Sequence, residues 1–126
     1  MHYAVLCYHD EAAVNAMTKE QDAALMAELA VVRQKLVAEG KMGPVARLMP
    51  TTAATTLRAG REPMIIDGPF AETKEQLLGF YVLECASLNE AIEATRRLLA
   101  PRQAAGLKST LEIRPISIFH PASETT

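Results

Sequence analysis

Asp67 stands before Gly68, Pro69 and Phe70, between the apolar pair Ile65-Ile66 and the polar stretch from Glu72 to Gln76. A carboxylate at a strand end, with cationic Arg58 and Lys74 near it in sequence and the ring of Phe70 beside it, has the parts of a general base or of an anchor for a small ligand. Arg58 and Arg114 each carry a planar guanidinium able to clamp a carboxylate or phosphate. Each also has an acidic neighbour, Glu62 or Glu112, with which it can pair on the surface. The same segment also makes sense as a turn. Aspartate can bond downstream backbone N–H groups, Gly68 can take a positive φ, and Pro69 fixes the chain direction. Thr73-Lys74-Glu75 can line a pocket as a polar patch, but it reads first as a solvated loop or helical turn in which Lys74 needs no partner.

The remaining chemistry-bearing residues are scattered. The three histidines, His2, His9 and His120, lack metal-ligand spacing, and no HExxH, paired cysteine or acidic cluster completes a site, so no metal is expected. No glycine-rich phosphate loop, GxSxG elbow or dinucleotide fingerprint occurs, and no cofactor is expected. Cys7 and Cys85 sit in apolar, strand-like runs without CxxC spacing. They read as reduced, buried thiols, or as a redox pair if their strands are neighbours. Met42, Met49 and Met64 read as gap-filling core.

These residues need a scaffold, and its elements can be read in order. His2 to Tyr8 is a short apolar strand that stops at His9-Asp10-Glu11. Thr18 and Gln21 have capping-box spacing, and Leu25, Leu29, Val32 and Leu36 recur at helical intervals until Gly40. From Lys41 to Leu57 the glycine and prolines break every period, which predicts an irregular strand with a looping insertion. Ala53 to Arg58 and Met64 to Ile66 then form a hairpin across Gly60-Arg61-Glu62. Leu78 to Cys85 is a strand, and Ser87 with Glu90 opens a second helix that is expected to end at Pro101. A final edge strand carries Leu111 and Ile113 on one face and Ile116 and Ile118 on the other, with a bulge at Arg114-Pro115. The tail after His120 is expected to be flexible.

This order predicts an α+β fold: a ferredoxin-like sandwich whose antiparallel sheet carries two helices on one face, within a single domain over residues 1–120. Apolar residues occupy both parities of the first and fourth strands, so both sheet faces should be covered, and two helices can cover only one. A homodimer with two-fold symmetry is the simplest cover, to be checked as the mass in light scattering. All six aromatics fall in the predicted strands or the loop after Asp67, which makes the sheet face, including Tyr8, a candidate ligand or partner surface.

Composition narrows the classes further. The chain has 126 residues, 49% of them hydrophobic, enough to bury a conventional core without staples. Thirteen Lys plus Arg against fifteen Asp plus Glu give a net charge of −2, with no basic patch to attract nucleic acid or an anionic membrane directly. The longest mostly apolar window, Ala23 to Val32, contains Glu28 and is too short to cross a bilayer. The opening MHYAVLCYHDE lacks the form of a leader, so a cytoplasmic protein is expected.

The segment from Ile65 to Tyr81, IIDGPFAETKEQLLGFY, resembles the YCII-related family, specifically its DGPF-domain branch. The opening Tyr3 to Glu11, Ala54 to Arg58, Ser87 to Ile92 and Glu112 to Ile116 resemble the same branch. The resemblance implies a ferredoxin-like fold assembled as a dimeric α+β barrel. It also implies an accessory role in transcriptional control for members encoded beside extracytoplasmic-function sigma factors. The histidine that related proteins place near the first helix has no counterpart between Asp10 and Phe119. The expectation is a small-molecule-binding protein or cofactor-independent enzyme with a site near the DGPF loop. In it Asp67 is the catalytic candidate, and Phe70, Arg58, Lys74 and Tyr8 are the ligand-binding candidates. The alternative is a non-catalytic accessory protein that binds a sigma factor.

Overall fold

In a computed structural model, described here for residues 1–122, strand β1 (His2–Asp10) runs through the middle of the sheet. Its odd-numbered side chains Tyr3, Val5, Cys7 and His9 are buried, while the even-numbered ones are only half-buried, as a strand with one covered face requires. The sheet has four antiparallel strands in the order β2 (Met42–Arg47), β5 (Glu75–Glu84), β1, β6 (Ser109–Pro115). Strands β3 (Thr55–Arg58) and β4 (Met64–Asp67) form a separate hairpin, as the sequence predicted. The result is the expected ferredoxin-like α+β arrangement.

The long helices begin and end where local signals direct. Helix α2 (Lys19–Ala38) starts at a full capping box: the Gln21 N–H donates to Thr18 Oγ1 at 3.1 Å, and the Thr18 N–H donates to Gln21 Oε1 at 2.9 Å. Both α2 and α3 (Leu88–Ala104) stop in Schellman motifs. Lys41 N–H reaches Leu36 O at 2.9 Å, and Leu107 N–H reaches Arg102 O at 3.0 Å, past Gly40 and Gly106. Helix α3 therefore does not end at Pro101. The ring removes one N–H, but the buried stripe of α3 runs on to Arg102, and the left-handed stop comes only at Gly106. Ser87 caps α3 through its Oγ, accepting from Glu90 N–H at 3.2 Å, whereas the Glu90 carboxylate lies 3.9 Å from Lys41 Nζ.

Other local expectations give way to pairing. Five residues, Glu11–Asn15, form a short helix α1 that no periodicity announced, capped by the Asp10 carboxylate. Glu75 to Leu77, read above as loop and flank, belong to β5. The register slips between Cys7 and Tyr8 and between Met42 and Val45. In contrast, β6 pairs regularly up to Pro115 and ends there, which accounts for the change of parity without a bulge. Cys7 lies opposite Gly79, and Cys85 lies beyond the His2–Glu84 pair at the far end of the strands. About 20 Å of strand separates them, at roughly 3.3 Å per residue, too far for a disulfide.

The core fills the space between the sheet and the two long helices. Val5, Leu36, Leu83 and Leu98 are fully buried there, with Tyr3, Cys7, Tyr81 and Ala94 around them. The opposite sheet face carries Leu6 beside Phe80 and Ala4 beside Val82. Among the described residues no helix is long and apolar enough to cross a membrane. The expected flexible tail lies partly outside them, from residue 123 on.

Candidate functional site

Where β1 and β5 emerge beyond the core, α1 and the first half of α2 arch over the sheet and leave a cavity of about 600 Å³. Its walls are apolar, from Val14 on α1, Leu25, Met26 and Leu29 on α2, and Val45 and Leu48 from β2 and the segment after it. Glu11, Asn15, Thr18, Lys19, Asp22, Arg33 and Arg47 also line it but are exposed or half-buried, whereas the buried polar groups come from opposite ends of the chain: His9 on β1, Tyr81 on β5 and Arg102 on α3.

Strand parity places His9. As the last of the inward-facing residues of β1, it is 8% exposed, and its Nδ1 lies 2.8 Å from Ser109 Oγ on the paired strand β6. Burial, reinforced by the positive charges of Arg102 and Arg47 and partly opposed by Glu75, pushes its pKa down to about 4. At neutral pH the ring is therefore uncharged, and with Nδ1 engaged, Nε2 is left for a ligand. Cys7 also borders the cavity; burial raises its thiol to about 11, so it is a protonated wall group and not a nucleophile.

Helical spacing places Arg102. Ala91, Thr95, Leu98 and Arg102 follow one another at intervals of four, three and four on the buried stripe of α3. Arg102 is 6% exposed, and its guanidinium donates to the Leu98 carbonyl at 2.6 Å and to Tyr81 Oη at 2.9 Å, with its carbon 5.5 Å from the centre of the Tyr81 ring. Nearer the surface, Arg47 holds Asp22 in a two-pronged pair at 2.8 and 3.2 Å. That bond keeps the Asp22 carboxyl below its usual range.

A second hollow adjoins the first, with Glu11 in the wall of both. The Glu11 carboxylate accepts from the Thr51 N–H at 2.7 Å and from its hydroxyl at 2.5 Å, tying α1 to the turn at Thr51–Ala53. Asp67 and Lys74 line this second hollow, beside Asp10, Gly68 and Thr73. The other sequence candidates do not join them. Arg58 pairs with Met64 at the opposite end of the hairpin ladder from Asp67, Phe70 is 74% exposed and lines neither hollow, and Tyr8 sits on the far face of the sheet. His9 and Arg102 carried signals the sequence reading did not use, namely strand parity and the α3 stripe.

A family model for the YCII-related domain matches residues 1–117. The chain belongs to the YCII-related family. It is also 52% identical over 122 residues to an uncharacterised protein of Rhizobium meliloti (strain 1021), an alignment covering 96% of each chain. In this YCII-related chain the DGPF turn is held by one backbone bond and one threonine hydroxyl. Gly68 N–H donates to Ala54 O at 2.7 Å, and Thr56 Oγ1 donates to Gly68 O at 2.8 Å. The Asp67 carboxylate makes no hydrogen bond among the described residues, so it does not form the turn. Gly68, at φ 98°, does carry the conformational demand. Gly68→Ala is accordingly expected to destabilise by about 1–2 kcal/mol. Asp67→Asn should stay within about 0.5 kcal/mol in the same urea titrations. A larger loss for Asp67→Asn than for Gly68→Ala would reverse this division of labour.

Proposed function

We propose that this YCII-related protein binds a small organic molecule in the cavity between α1, α2 and the sheet. The observation that supports the reading is the cleft itself: a volume within the range of ordinary ligand sites, a largely apolar lining, and three buried polar groups gathered at its inner end. Asp67, Lys74 and the DGPF loop, which fits the branch resembled in sequence, stand at the neighbouring hollow. That hollow shares Glu11 with the cavity.

Binding is favoured over proton-transfer catalysis in the empty protein. A general base works best with a pKa near the working pH, and His9 at about 4 is far below it. Outside the site, the half-buried sheet face with Leu6 and Phe80 is read as the contact with a second copy, which would remove its remaining apolar surface from water.

The test fills the cavity. Val14→Trp places a large ring into it without touching a polar group. A panel of small carboxylates, phenols, lactones and their neutral amides is screened by thermal shift against wild type and this variant. At a hundred times its Kd a ligand adds about 2.7 kcal/mol to wild type, several degrees in a domain of this size. The filled variant should show none of it. Equal shifts in both proteins, or none across the panel, would overturn the reading in favour of an accessory that contacts other proteins.

A further inference from the structure

Arg102 is a buried cation without a counter-charge. Two of its five N–H groups are taken, by the Leu98 carbonyl and the Tyr81 hydroxyl, and both acceptors are neutral. Among the described residues no carboxylate stands within ion-pair distance of it. The acids around the cavity are already engaged: Asp22 is clamped by Arg47 at 2.8 Å, and Glu11 accepts two bonds from Thr51. Its near neighbours Cys7 and His9 are neutral at pH 7, so they offer no negative charge either.

Taking a guanidinium out of water without a partner is costly, and a buried charge is normally paired or bound to an ion. Here the charge also lines the cavity. The compensation can therefore come from whatever fills the cavity.

Resting on the reading of the cavity as a ligand site, we propose that its ligand is a small apolar carboxylate. The anionic head meets Arg102 between Tyr81 and His9, and the hydrocarbon or aromatic body lies against Leu25, Met26 and Leu29. A monoanion fits better than a phosphate ester. Lys19 and Arg33 also line the cavity but are exposed to water, so at the buried end one cation and one neutral imidazole are there to balance a single negative charge, and Leu25, Met26 and Leu29 offer dispersion contacts to an apolar body. In His9, Nε2 can donate to the second carboxylate oxygen if Nδ1 accepts from the Ser109 hydroxyl.

Matched probes separate charge from shape. 2-Naphthoate and 4-phenylbutyrate, with their amides, are titrated calorimetrically into wild type, Arg102→Met and Arg102→Lys, with melting curves confirming that each variant is folded. In wild type each acid should bind at least tenfold more tightly than its amide. Arg102→Met should abolish that preference while keeping amide binding, and Arg102→Lys should restore part of it.

The His9 ring proton resonances, followed by NMR, place the site. Their titration midpoint should move up with the acid and stay fixed with the amide, a readout that a merely structural arginine would not produce. This part needs wild type alone, should Arg102→Met fail to fold. Amides that bind as well as acids would overturn the charge assignment and leave the cavity reading standing. Acids that bind without moving His9, or no binding by either probe class at millimolar concentration, would overturn the proposed placement as well.

Discussion

Leu36→Ala is expected to cost about 2–5 kcal/mol, the usual toll for truncating a fully enclosed leucine whose surroundings cannot collapse into the gap. Leu36 is 0% exposed on the last turn of α2 and belongs to the cluster with Val5, Leu83 and Leu98. Its own carbonyl accepts the Lys41 N–H that closes the helix stop. The side chain thus sits where helix, stop and sheet are all fixed, which limits relaxation. Against a typical total of about 5–15 kcal/mol the loss is severe. Urea unfolding should show a lower midpoint at unchanged slope. Leu57→Ala is the control: Leu57 is 67% exposed on the hairpin, and the change should stay within about 0.5 kcal/mol. Comparable losses at both positions would mean that the core is not centred on this cluster.

What the sequence conveyed about the fold follows from the range of the interactions. The capping box at Thr18 and Gln21 and the cap at Ser87 are contacts between residues three apart, so composition and spacing suffice to find them. Pro101 misled because a local rule was applied where burial decides: the stripe ending at Arg102 keeps α3 helical to Gly106. Helix α1 is too short for any period to register, and its cap, Asp10, looked like the end of a strand. Strand existence was legible. The slips at Cys7 and at Met42 were not, since register depends on which strand lies alongside.

The site was harder for the same reason. The motif around Asp67 is contiguous and rich in turn chemistry, so it draws attention in a linear reading. The cavity gathers His9, Tyr81 and Arg102, residues far apart in the chain that meet only because β1 lies between β5 and β6 and α3 packs over them. Arg102 follows Arg96 and Arg97 closely in sequence, and nothing in that spacing separates a buried arginine from exposed ones. Extending the helical period beyond Pro101 would have placed it inside. Lys74 and Asp67 do share a hollow, so the linear reading found a real neighbourhood, one step removed from the larger cavity.

Acid is expected to weaken the protein through His9 well before its carboxylates are exhausted. Folded, the ring has a pKa of about 4; unfolded, it returns to about 6.5. As pH falls below 6.5 the unfolded chain takes up a proton that the folded chain refuses, so stability is full above 6.5 and declines down to about 4, where the loss levels off. The shift corresponds to about 3 kcal/mol at most, at about 1.4 kcal/mol per unit. The groups that set it are the burial itself, the cations Arg102 and Arg47 that repel the proton, and Glu75 that attracts it. His9→Gln keeps a side chain able to bond Ser109 but cannot titrate there, and its stability should be flat between pH 6.5 and 4.5 where wild type declines. A His9 midpoint near 6.5 by NMR would mean that the ring is wet, and the pH argument would fail with it. A carboxylate held on Arg102 acts in the opposite sense, since its negative charge beside the imidazole favours the proton. Relief by an acid ligand therefore presupposes the acid sensitivity of the empty protein: if His9 is not held neutral by burial and by Arg102, a bound carboxylate has no depressed pKa to restore.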